Sequence, residues 1–253
     1  IVSFVTKALG VNSVPLRMLV EEEKSRARRD FIDAIRAHLK IQPITKDTDK
    51  VIELAATQAA QTKQELADII NVVIEELIRQ RYELPAFSRL NRTAFRIRNL
   101  VNEQYFHTLT DPLPTAVTSQ FDAMLTLSAG QLVTGWQQIK QDPKKPTNTE
   151  VRQYLERVKW LKSWACELPQ VDHIPVVKRG QYVYEARALD AADLKAMQQN
   201  KRYALMVLLF HAQLSKALDD AVDIFVRKMR KLHSGALEQL QLYYQEHQKR
   251  ADC

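Results

Sequence analysis

Apolar residues recur at helical spacing along much of this chain. The clearest run is residues 63–82, where Leu66, Ile69, Ile70, Val73, Ile74, Leu77 and Ile78 follow an unbroken i, i+3, i+4, i+7 order. Such a stripe covers one side of a helix and predicts a core element. Leu84 and Pro85 end it, because proline disfavours helical geometry in the residue before it. Ser88 is then placed to cap the next helix by accepting a backbone N–H bond. In that next helix Leu90, Ala94, Ile97 and Val101 form the apolar stripe, and Arg89, Arg92, Arg96 and Asn99 line the polar side.

The remaining pattern is also helical. A short helix near residues 2–9 ends at Gly10, and Pro15 opens a second that runs towards residue 40, with a break around 21–23. Phe31, Ile35 and Leu39 share one face of it, and Arg26, Arg29, Arg36 and Lys40 with Asp33 fall on another. Pro43 ends that helix, and residues 48–60 are alanine-rich. Asp111, Pro112 and Pro114 mark a boundary. The stretch to Pro146 reads as a connector that carries a helix around 118–127. Thr147 and Glu150 have capping-box spacing and start a helix with Val151, Leu155, Val158 and Ala165 on one face. Pro169 and Pro175 break the pattern. There follow residues 176–189, a start at Asp190 into a short helix, and a long helical hairpin over 201–249, in which Gly235 is either the junction or a bend in one helix. The expected fold is all-α with two helical lobes: residues 1–112 with a helix-turn-helix-like unit, a connector at 113–146, and a second lobe at 147–253. No internal repeat stands out.

Composition narrows the reading. Five glycines in 253 residues argue against glycine-rich phosphate loops and tight hairpins. A hydrophobic fraction of 45% with 26% charged residues is that of a folding chain. The longest apolar run, Tyr203 to Phe210, is far shorter than the roughly 20 residues of a membrane helix, so a soluble, cytoplasmic protein is expected. Cys166 and Cys253 stand apart without histidines at ligand spacing, which excludes a zinc site or a disulfide framework as the organising feature. The chain starts at Ile1 and reads as a piece of a longer one.

The net charge of +7 favours polyanions only if it is concentrated. It is: residues 79–98 hold Arg79, Arg81, Arg89, Arg92, Arg96 and Arg98 against the single acid Glu83. An apolar helix, a short turn and an arginine-lined helix meet the physical requirements of a helix-turn-helix. Arginine grips phosphate or takes guanine bidentately, and Asn91 or Asn99 suits adenine. The competing reading is a solvated face whose arginines pair with Glu83 and Glu103.

Asp219, Asp220 and Asp223 spell DDAVD, a pattern with which helical prenyl-diphosphate enzymes hold magnesium. Against it, Lys216 and Arg227 stand four residues from Asp220 and Asp223, where ordinary helical ion pairs form, and no second such motif is present. His211 lies among apolar residues as a core or boundary histidine. Trp136, Trp160 and Trp164 suit base stacking or, for the last two especially, helical packing. No catalytic or metal-binding residue is assigned.

The string ADIINVVIEELIRQRYELPAFSRLNRTAFRIRNLVNEQYF, Ala67 to Phe106, resembles the N-terminal region of Tn3-family transposases. A second block is similar to the part that follows in those proteins: Ile174-Pro175, Lys178-Arg179, Glu185-Ala186-Arg187, Lys201-Arg202-Tyr203, and Asp219-Asp220 before Phe225. The early RARRDFIDAIRAHLKIQPI fits too, except that Lys40 stands where glycine is expected. The resemblance implies the DNA-binding portion of a bacterial transposase, which recognises the terminal inverted repeats of double-stranded transposon DNA. It also implies a homodimer in the full-length protein and a metal-dependent catalytic domain outside this chain, so that no cofactor is expected within it. DNA contacts are expected from Arg89, Arg92 and Arg96, then Ser88, Asn91 and Arg98, with Lys201 and Arg202 in the second lobe. The alternatives are an all-α scaffold or regulatory module that binds protein, and a magnesium-dependent helical enzyme built on DDAVD.

Overall fold

In a computed structural model that describes residues 26–127, 130–141 and 148–251, every regular element is a helix. The chain is all-α, and its only strand-like pairing among these residues is an isolated bridge between Gln42 and Tyr82. The helices expected near residues 2–9 and at Pro15 lie outside the described residues. The chain divides into two compact units, the first ending at Arg98 and the second starting at Asn99.

The first unit contains α1 (Arg26–Leu39), α2 (Lys46–Thr62), α3 (Leu66–Arg79) and the first half of α4 (Phe87–Thr110). In α3 Ile69, Ile70, Val73 and Leu77 of the stripe are buried and Leu66 and Ile74 partly so, while Ile78 is 59% exposed. The packing partner of α3 is α2, whose inner face is Thr48, Ile52, Ala55, Ala56, Ala59 and Ala60. Small side chains there let the two helix backbones approach closely. Phe31, Ile35 and Leu39, expected to form the buried face of α1, are more than half exposed.

Both α1 and α3 end in the same way. Lys40 and Arg81 adopt left-handed backbone conformations, with φ of 54° and 58°. At the first end Ile41 N–H donates to the Arg36 carbonyl at 2.9 Å and Lys40 N–H to Ala37 at 3.4 Å. At the second Tyr82 N–H donates to Leu77 at 2.8 Å and Arg81 N–H to Ile78 at 3.0 Å. These are two Schellman ends, each normally closed by glycine. The two outgoing strands then pair: Gln42 N–H donates to the Arg81 carbonyl and Glu83 N–H to the Gln42 carbonyl. Arg36 bonds Glu83 at 2.7 Å across the junction. The backbone at residue 40 thus makes the turn that glycine favours although lysine occupies it. A left-handed lysine costs about 1–2 kcal/mol, and glycine gives back part of that in unfolded-state entropy. Lys40→Gly is therefore expected to stabilise the first unit by about 0.5–1 kcal/mol in urea unfolding.

The second unit holds the rest of α4, α5 (Thr115–Met124), α6 (Gly135–Ile139), α7 (Asn148–Glu167), α8 (Val176–Ala188), α9 (Ala191–Ala196) and α10 (Gln199–Ala251). Its centre is the start of α10, where Tyr203 through Phe210 are all buried, and α7 and α8 pack against that helix. A helix apolar on all sides is one surrounded by others. Phe121, Trp164 and Phe210 stack there, with centroids 4.9–5.7 Å apart. Residues 113–146, expected as a connector, instead supply core: Phe121, Leu125, Trp136 and Ile139 are buried, and the Trp136 indole donates to the Leu189 carbonyl at 3.0 Å. Among the described residues of this stretch, Pro114 precedes α5 and Gly130 stands in a turn, both inside the unit. The buried face of α7 is Tyr154, Leu161 and Trp164, while Leu155 is 48% exposed. The expected C-terminal hairpin is a single helix of 53 residues, with Gly235 inside it. Beyond the core, α10 exposes Leu218, Val222, Phe225, Met229, Leu232, Leu240 and Tyr243.

His211, on α10, places Nε2 3.0 Å from the Pro169 carbonyl, and burial pushes the imidazole below its ordinary pKa. The folded unit therefore resists a proton that the unfolded chain accepts. The stability from neutral His211 is complete above the ordinary histidine value of about 6.5 and is lost as pH falls through the lowered folded value. Urea unfolding should show stability falling from pH 7 to pH 5, and His211→Gln should make that fall shallower.

Candidate nucleic-acid interface

The candidate site is the exposed side of the first half of α4. Leu90, Ala94 and Ile97 turn inward and fix the rotation of the helix, which leaves Ser88, Arg89, Asn91, Arg92, Phe95 and Arg96 exposed. The helix begins at Phe87, so Ser88 lies within its first turn, and the Ala86 carbonyl accepts from Arg89 and Leu90 N–H. Ser88 is thus not the cap that its position after Pro85 predicts.

The arginines fall into three settings. Arg89 Nη2 meets Asp49 Oδ1 at 2.5 Å and Arg96 Nη2 meets Glu53 Oε1 at 2.5 Å, both acids standing on α2. Arg92, between them on the face, is exposed and has no ion-pair partner among the described residues. Arg98 is half-buried, its guanidinium 5.2 Å from the centroid of the Phe95 ring, and its Nε is buried without a hydrogen-bond partner. The pairing with Glu83 expected for a solvated face does not occur, because Glu83 is taken by Arg36. Exposed pairs such as Arg89–Asp49 contribute about 0.2–1 kcal/mol, little enough for a phosphate to replace the carboxylate.

Periodicity alone passed over three neighbours of this face. Phe95 is 49% exposed and follows Arg92 by three positions; an aromatic residue off the apolar stripe was the signal available. Asp49 and Glu53 are one turn apart on α2, away from its alanine face, but their partners lie about forty residues on and leave no local pattern.

The second-lobe candidates have internal partners. Lys201 bonds Glu185 at 2.6 Å, and Arg202 reaches Asp122 at 3.3 Å and lies over the Tyr203 ring, while the Tyr203 hydroxyl donates to Asp122 at 2.8 Å. In DDAVD, Asp220 takes Lys216 at 3.2 Å and the Tyr154 hydroxyl at 3.0 Å, and Asp223 pairs with Arg227 at 3.9 Å. Lys216 and Arg227 are the ordinary helical partners, and Tyr154 comes from α7. Among the described residues no three His, Cys, Asp or Glu side chains gather as a metal site, and no helix is long and apolar enough to cross a membrane.

A family described as a domain of unknown function, DUF4158, matches residues 1–97, one residue short of the end of the first unit. The transposase for transposon Tn501 of Pseudomonas aeruginosa is 25% identical over 90% of this chain and 23% of its own length. The transposase for transposon Tn3926 of Escherichia coli is 25% identical over 94% of this chain and 24% of its own. That for Tn21 of Escherichia coli is 23% identical over 88% of this chain and 23% of its own. The chain spans about a quarter of the length of these curated relatives. Over some nine-tenths of its residues, this chain is similar to these transposases, at 23–25% identity.

Proposed function

We propose that this chain is the end-recognising portion of a DNA transposase and that it reads the terminal inverted repeats of its transposon through the arginine face of α4. The observation that carries the reading is the row Arg89, Arg92, Arg96. Three guanidiniums project from one exposed face of a helix whose other side is locked into a core, and Arg92 has no ion-pair partner among the described residues. A row of this kind attracts the phosphate backbone by charge and, where a guanidinium reaches a base edge, takes guanine through two N–H groups. Ser88 and Asn91 add neutral donors and acceptors on the same side, and Arg98 with Phe95 forms its other flank.

The transposase relatives supply the biological setting: a protein that moves DNA must first find the ends of the element. In this reading the strand chemistry and its divalent metal belong to other parts of the full-length protein, which works as a homodimer, and this chain needs no cofactor of its own. Lys201 and Arg202 serve the fold of the second unit in preference to DNA. Nuclease footprinting on the ends of the transposon that encodes the chain is the test. A protected window inside each terminal inverted repeat is expected; protection spread evenly along the fragment, or none, overturns the reading.

A further inference from the structure

Two acids stand beside the arginine face and hold two of its arginines. Asp49 and Glu53 lie one turn apart on α2, and the guanidiniums that they hold, Arg89 and Arg96, lie two turns apart on α4. As stabilisers these pairs do little, since all four side chains are about half exposed. Their effect on the arginines is larger. Each carboxylate engages Nη2 alone, and a guanidinium has five N–H donors in a planar fork. The opposite edge therefore stays free while the side chain is fixed. An arginine held in this way gives up part of its roughly 2 kcal/mol of rotamer entropy before DNA arrives, and its free donors point in a narrower range of directions. The same two negative charges lie well within a Debye length of any phosphate on this face and repel a backbone that brings no compensating base contact.

We propose that Asp49 and Glu53 are positioning residues that set the DNA selectivity of this site: they orient Arg89 and Arg96 for base contact and lower affinity for DNA of unrelated sequence. The proposal rests on the reading of α4 as the DNA-contacting face. Arg92, which no acid holds, is the sequence-tolerant contact in the middle of the row.

The experiment compares the full chain with D49A/E53A, R89A/R96A and the fourfold variant. Fluorescence anisotropy reads binding to a duplex carrying the transposon's terminal repeat and to a scrambled duplex of equal length. D49A/E53A is expected to bind the scrambled duplex about threefold or more tightly and to lose at least about fivefold in discrimination between the duplexes. In the fourfold variant, removal of the acids should change discrimination no further than R89A/R96A already does, because the acids act through those arginines. Thermal unfolding checks that the variants fold; if D49A/E53A does not, D49N/E53Q removes the charges in the same shape and should still tighten the scrambled complex. A parent that discriminates together with a D49A/E53A variant that discriminates equally well overturns this inference alone. So does an equal loss in both arginine backgrounds. A parent that binds both duplexes alike overturns the recognition reading, and this one with it.

Discussion

Replacing Arg92 and Arg96 together by alanine is expected to weaken binding to a terminal-repeat duplex by about a hundredfold, with the fold unchanged. The magnitude follows from ~1–3 kcal/mol for each arginine that contacts a base edge or a phosphate. Stability is spared because both side chains are exposed and because Arg96 has only Glu53 to lose, itself 56% exposed. The two changes also separate the kinds of contact. If Arg92 grips phosphate, its loss weakens all duplexes alike and lowers the salt slope by about one unit; if Arg96 reads a base, its loss falls mainly on the repeat. Anisotropy titrations, with circular dichroism melts of the same samples, measure both. Unchanged affinity in the double variant would remove α4 from the interface.

The largest effect on stability is expected from Asn102→Ala in the second unit. Lys178 is fully buried, and its Nζ donates to Asn102 Oδ1 at 2.6 Å; the buried Tyr182 hydroxyl donates to the same oxygen at 2.7 Å. Alanine removes the shared acceptor and leaves two buried donors with a bond fewer each. A loss of about 3 kcal/mol follows, or roughly 10 °C in thermal midpoint. Lys178→Met should cost much less, below ~1.5 kcal/mol, since it keeps the volume and leaves the Tyr182 bond in place. It gives up a lysine 5.8 Å from the Tyr105 ring centroid. Equal losses in the two variants would mean that the lysine, not the shared oxygen, organises this core.

Several residues in the second block of resemblance have structural partners within the second unit. Ile174, Lys178 and Ala186 are buried, Glu185 pairs with Lys201, Arg202 meets Asp122, and Asp220 takes Tyr154 and Lys216. Those positions hold the unit together, so a string of charged residues in the sequence reads as a site only until its partners are visible.

The helices themselves were legible where one face is strictly apolar. The first half of α4 buries the residues that its periodicity selects, and α3 buries the centre of its stripe while Ile78 at the edge is exposed. The packing between helices was not. An alanine face such as that of α2 carries a weak hydrophobic signal yet packs closely against α3, so the helix-turn-helix pairing inferred from a short turn gave no account of what α3 rests on. Aromatic residues with polar tips misled the reading of α7: Tyr154 and Trp164 are buried while Leu155 faces water. Residues 113–146 looked like a connector because turn-forming residues mark a short helix as readily as a linker. Gly135 shows the difference, since a Cβ there would come within 3.2 Å of Met124; that glycine allows α6 to close on α5. At the site, the arginines were visible as a local excess of charge, whereas Asp49 and Glu53 became part of it only through folding.

The central claim is that this chain distinguishes transposon ends from other DNA. Its most direct test is fluorescence anisotropy of the unmodified chain with a duplex carrying the terminal inverted repeat and with a scrambled duplex, across a salt series. Base readout predicts a preference for the repeat that persists as salt rises and screens the backbone contribution. Equal binding to the two duplexes, falling together and steeply with salt, would contradict it and leave only a basic surface.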